Sequence, residues 1–175
     1  MTYEFRLRRR VEFYETDMAG IVHFANFFKY LEACEHAFAR SLGTIVHPGE
    51  NHDGSVIGWP RVHAECDYRR PLKYDEEFEV HLLVREKKDK AVHFDFHFWK
   101  VGEQTDRPLA RGKLVVVSVG RIAGEVKAIA LPAVYAEKLT VAPTELLNRY
   151  ELKTQNVSGL LSLSLVAFLK DKTDA

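Results

Sequence analysis

The sequence predicts an α+β fold in which an antiparallel sheet wraps around one long buried helix. Three observations predict it. A single helical stripe lies early in the chain, four alternating apolar segments follow it, and short turns separate those segments. One apolar stripe needs a sheet to lie on, and strands joined by short turns pair antiparallel.

The elements follow in order. Tyr3, Phe5 and Leu7 alternate with charged residues, as do Val11 and Phe13, which predicts a first strand over 3–13. A turn follows around Asp17 and Gly20. Phe27, Leu31, Cys34, Phe38 and Leu42 then recur at helical spacing, with Asn26 as the expected N-cap and Gly43 as the stop. A helix over 27–42 is about 24 Å long. Pro48, Gly49, Asn51, Asp53, Gly54 and Gly58 make 44–58 a loop.

Four strand patterns come next. Val62, Ala64, Cys66 and Tyr68 carry the first; Phe78, Val80, Leu82 and Val84 the second; Val92, Phe94, Phe96 and Phe98 the third; residues 109–119 the fourth. Residues 86–90 form a polar hairpin connection, and 71–75 and 102–108 are the other turns. Leu131-Pro132-Ala133 opens a short helix, and 145–150 has helical character. Residues 160–169 are apolar without a sustained pattern. The expected organisation is one domain over 1–139 and a C-terminal extension over 140–175.

The chain of 175 residues balances 25 Lys and Arg against 25 Asp and Glu, which argues against a nucleic-acid binder. No apolar run approaches the ~20 residues that span a bilayer, and the charged N-terminus lacks the apolar core of a signal peptide. No membrane association and a cytoplasmic location are expected. Cys34 and Cys66 both fall on apolar faces and read as core thiols. The Asn156-Val157-Ser158 sequon carries little weight in such a protein.

The chemistry points to the stretch from Glu15 to Asn26. Asp17 offers a carboxylate as nucleophile or base beside a helix start. The unpaired amides of that helix end offer donors to a developing oxyanion, and the helix macrodipole adds positive charge there. These are the parts that an acyl transfer needs. A turn-forming aspartate bonded to nearby amides is the plainer reading.

The motif Asp17-x-x-Gly20-Ile21-Val22-x-x-x-Asn26, followed by the long helix, resembles hotdog-fold acyl-CoA thioesterases of the 4-hydroxybenzoyl-CoA thioesterase type. The segment Asp67-Tyr68-Arg69-Arg70-Pro71-Leu72-Lys73-Tyr74-Asp75 resembles the family's strand and turn after the helix, and the resemblance covers residues 3–135. It implies a hotdog fold with Asp17 as the catalytic carboxylate and the Phe24 backbone amide as the donor to the thioester carbonyl. Gly20 and His23 complete the implied catalytic set. Many relatives carry Tyr-His where this chain has His23-Phe24, so the position of their auxiliary histidine holds Phe24. The implied product is free acid plus coenzyme A, which is part of the substrate, so no cofactor or metal is expected. The family implies homodimers or homotetramers with sites between subunits. Asn26, Phe27 and Trp59 are substrate-binding candidates; Arg69, Arg70, Lys87 and Lys88 are candidates for the coenzyme A phosphates by charge and position.

Three functions share this fold: an acyl-CoA thioesterase, a hydratase or dehydratase working through Asp17 and His23, and a non-catalytic acyl-CoA-binding module. Glu32, Glu35 and His36 are further helix candidates, since some hotdog enzymes use a helix glutamate; solvated charges are their plainer reading. His93, Asp95 and His97 share a strand face and read as a polar outer surface rather than a metal site. His47, His52 and Asp53 match no zinc spacing and read as loop residues.

Overall fold

The computed structural model describes residues 1–46 and 57–150. Strand β1 (Glu4–Arg10) leads through a 3-10 turn (Phe13–Glu15) to helix α1 (Asn26–Ser41). Strands β2 (Arg61–Tyr68), β3 (Glu77–Lys87), β4 (Ala91–Lys100) and β5 (Ala110–Val117) follow. A hairpin of β6 (Val119–Ile122) and β7 (Glu125–Ala128) precedes the short helices α2 (Ala133–Lys138) and α3 (Thr144–Arg149).

The five-stranded antiparallel sheet has the order β1-β3-β4-β5-β2. β2 therefore pairs with β5 at one edge, not with its sequence neighbour β3. The chain from β2 crosses to the middle of the sheet before the β3-β4-β5 meander begins. The expected first strand ends early, because the backbone turns into the 3-10 segment at Phe13. The hairpin of β6 and β7 was not anticipated from the sequence. Its Ala123-Gly124 connection takes positive φ at both residues, the turn geometry that suits a two-residue hairpin loop.

α1 lies across the inner face. Phe27, Tyr30, Leu31, Cys34 and Phe38 are buried against Phe78, Val80, Leu82, Phe94, Phe96 and Phe98. Phe27 meets Phe98 edge-on at 5.1 Å, and Tyr30 lies 4.7 Å from Phe78. Gly112 of β5 lets the helix come close: a Cβ there would sit 2.8 Å from Leu31. Gly43, at φ +82°, stops the helix as expected. Cys34 is buried and Cys66 half-buried, and both are free thiols.

The outer face departs from expectation. His81, Asp95 and His97 are buried, not solvent-facing. The chain after α2 covers part of this face: Leu147 and Ala142 pack on Leu83, and the Tyr150 ring lies 4.6 Å from His97 and 5.3 Å from Trp99. Among the described residues no helix is long and apolar enough to cross a membrane. The loop histidines His47 and His52 with Asp53, the sequon at Asn156 and the run 160–169 lie outside the described residues.

Candidate active site

The site is built on residues 15–26. Glu15 is buried, and its carboxylate accepts the Glu12 amide at 2.8 Å and the Arg9 guanidinium at 3.3 Å. Its carbonyl closes a small loop by accepting the His23 amide at 2.9 Å. Inside that loop Thr16 bridges Val22, the Asp17 amide donates to Ile21 O at 2.9 Å, and the Gly20 amide donates to Asp17 O at 2.9 Å. Gly20 has φ +74°, a left-handed conformation that favours glycine. The Val22 amide donates to Leu72 O at 2.8 Å, which anchors the loop to the chain after β2.

Asp17 stands exposed at the tip of this loop, and its Oδ1 accepts the Ala19 amide at 2.8 Å. The turn engages one carboxylate oxygen, Oδ1, and the carboxylate stays exposed. Phe24 sits just ahead of the helix N-cap, Ala25. Among the described residues no acceptor takes its amide. His23 is exposed, and its Nδ1 faces the Ala25 amide at 3.3 Å. A carboxylate and an unpaired amide at a helix start are the two parts that a thioester carbonyl needs.

The other predicted residues are distributed differently. Asn26 is not the N-cap; it lies inside the first helical turn, buried, with its Nδ2 donating to Glu15 O at 2.7 Å. Phe27 belongs to the core, and Trp59 is buried 4.7 Å from Tyr135. Arg70 bonds Glu103 and Arg107 O, and Arg69 is half-buried beside it. Lys87 donates to Ala136 O and Leu139 O at 2.8 and 2.9 Å, at the end of α2 where a cation meets free carbonyls. Lys88 is exposed, 3.5 Å from Glu86.

Of the helix candidates, Glu35 is buried and accepts Arg61 Nη2 at 2.7 Å, with Glu32 and His36 also beside that guanidinium. Burial pushes the Glu35 carboxyl up, and Arg61 pulls it back. A groove beside this group is lined by Phe28, Leu31, Glu32, Arg61, Ala64 and Leu114.

Two residues of the site lie in the quoted motifs but were given no role from the sequence. Glu15 opens the stretch before the helix, and no local pattern marks it for burial. Tyr68 donates its hydroxyl to Phe24 O at 3.1 Å, a contact between residues 44 apart that sequence periodicity does not encode.

Fold and loop together define a hotdog-fold enzyme of the thioesterase class. The chain belongs to the thioesterase-like superfamily, whose profile matches residues 11–146. It is 34% identical over 107 residues to a 1,4-dihydroxy-2-naphthoyl-CoA hydrolase of Gloeothece citriformis, covering 59% of this chain and 73% of that one. A solved gentisyl-coenzyme A thioesterase is 30% identical with a TM-score of 0.62, covering 75% of this chain and 98% of that one. A protein of known structure from Aquifex aeolicus is 31% identical with the same TM-score, 0.62, covering 84% and 99%.

Proposed function

We propose that this protein is an acyl-CoA thioesterase that hydrolyses an aromatic or short- to medium-chain acyl-CoA to the free acid and coenzyme A. One observation carries the reading: the Asp17 carboxylate and the unpaired Phe24 amide are held in one hydrogen-bonded loop at the start of α1. The names of the relatives support the substrate class, since two of them act on aromatic acyl-CoA.

The Phe24 N–H polarises the thioester carbonyl and receives the oxyanion, aided by the positive end of the helix. The Asp17 carboxylate attacks the carbonyl carbon, coenzyme A leaves as its thiolate, and water cleaves the resulting anhydride. The same carboxylate serves equally as base toward an attacking water. Coenzyme A arrives as part of the substrate, so no separate cofactor is required.

The protein acts as a homodimer or homotetramer in the cytoplasm. β2 is an edge strand with exposed Arg61, Val62, His63 and Ala64, and such an edge invites strand pairing. Phe13, Tyr14, Met18, Phe24 and Tyr74 are all exposed around the Asp17 loop, an apolar surface that a second subunit or an acyl group covers. A thiol-release screen across aromatic, short-chain and long-chain acyl-CoA tests the reading. Turnover of aromatic or shorter substrates is expected, and release from none of them would overturn it.

A further inference from the structure

We propose that Asn26 and Tyr68 are positioning residues that hold the Phe24 amide and the Asp17 carboxylate in fixed relation. The inference rests on the assignment of Asp17 and Phe24 to the chemistry.

A peptide unit is planar and trans, so its N–H points opposite to its carbonyl. The unit that carries the Phe24 N–H also carries His23 O. That carbonyl accepts the Asn26 amide at 2.9 Å, which turns the Phe24 N–H outward from the helix start. The next carbonyl, Phe24 O, takes only a long bond of 3.3 Å from the Phe27 amide. The Tyr68 hydroxyl holds it from outside the helix at 3.1 Å. The Tyr68 ring is itself braced edge-on against the buried Phe27 ring at 5.1 Å. The two peptide units that set the direction of the Phe24 amide are therefore held from both sides.

Asn26 makes the second connection. Its buried Nδ2 donates to Glu15 O at 2.7 Å, the same carbonyl that accepts the His23 amide. Asp17 is two residues after Glu15, and Phe24 two residues before Asn26. The side-chain amide thus ties the turn that leads into the Asp17 loop to the first turn of the helix, just after the oxyanion donor. Glu15 cannot yield easily, because its own carboxylate is bound by the Glu12 amide and Arg9. A misplacement of about 1 Å between reacting groups can cost about a hundredfold in rate.

The test measures hydrolysis of benzoyl-CoA by the full chain. Tyr68→Phe keeps the ring on Phe27 and removes only the hydroxyl. It should lower kcat about five- to tenfold, the worth of one hydrogen bond, with KM changed less than twofold. Asn26→Asp sets an acceptor against Glu15 O and should lower kcat about a hundredfold. Circular dichroism and thermal melting establish that each variant is folded; should Asn26→Asp fail to fold, Tyr68→Phe decides alone. A folded Tyr68→Phe enzyme with kcat within twofold of the parent overturns the inference. So does a raised KM at unchanged kcat, which would mark a substrate contact. Asp17→Asn is assayed in parallel. Parental turnover there sinks the assignment of Asp17, whereas its loss beside an unaffected Tyr68→Phe sinks the positioning role alone.

Discussion

Two groups of polar residues sit on opposite sides of this molecule, and one is open where the other is sealed. At the helix start Asp17 is exposed, the Phe24 amide lacks an acceptor among the described residues, and exposed aromatics surround both. On the outer face of the sheet His81 and His97 are buried beneath Tyr150, and Asp95 is buried on the same strand face as His97. Asp95 there accepts Arg85 at 2.6 Å, and His81 meets Glu4 at 2.7 Å. Buried titratable groups with shifted pKa often mark an active site, yet here they lie on the side away from α1. The difference teaches that burial and chemistry have been separated. Tyr150 covers the two histidines of the outer cluster, while the helix start keeps its polar groups exposed.

The sharpest break of that comparison is Asp17→Asn. An asparagine oxygen can still accept the Ala19 amide, so the turn and the melting temperature should hold. Turnover of acyl-CoA should fall by about a thousandfold or more, equivalent to about 4 kcal/mol of barrier. A folded variant with turnover within tenfold of the parent would remove the carboxylate from the chemistry.

The second test strikes the sealed side. Tyr150→Ala strips the ring from His97, His81 and Trp99. Truncating a fully buried aromatic costs about 3–5 kcal/mol; this ring is half-buried, so about 2 kcal/mol is expected in a denaturant titration. Turnover should stay within twofold. A thousandfold loss of turnover without loss of stability would mean that the outer face takes part in catalysis.

The legibility of the two regions in the sequence differs for physical reasons. The central helix and the alternating strands are local patterns that spacing reveals, and the Asp17 motif is legible through its resemblance to hotdog-fold thioesterases. The Asp17-x-x-Gly20 turn and the stop at Gly43 follow from residue chemistry at single positions. The strand order was not readable, because the placement of β2 beside β5 depends on pairing between distant segments. The burial of His97 was not readable either. Alternation on β4 correctly put His93, Asp95 and His97 on the face away from Phe94, Phe96 and Phe98. It carried no sign that residues 140–150 would return to cover that face. The bonds of Lys87 were unreadable for the same reason: the carbonyls that it caps lie at the end of α2, 49 and 52 residues away. Asn26 looked like a cap because its type suits one, whereas the structure uses its side chain to reach back 11 residues.

The smallest effect expected is a dependence of stability on pH that belongs to the sealed side. Burial pushes the His97 imidazole down to about 3, with Arg111, His81, Arg85 and Arg6 adding to the effect of burial. His81 is also lowered, mainly by burial and by Arg6, against the pull of Glu4. The unfolded imidazole titrates near 6.5. The folded value is depressed, so the unfolded chain binds the proton first as pH falls. The stability contributed by neutral His97 is fully present above about pH 6.5 and is lost progressively toward pH 3, by at most about 1.4 kcal/mol per pH unit. Asp95 and Glu35 are raised by burial and act in the opposite sense. Both are retained in a His97 variant, so the clean measurement compares parent and variant at pH 7.5 and 5.5. His97→Phe keeps an aromatic ring beneath Tyr150 and removes the titration. The parent should lose about 1 kcal/mol more than this variant over that interval. Equal losses would show that the imidazole protonates without leaving its place, and that the outer face is less sealed than its packing indicates.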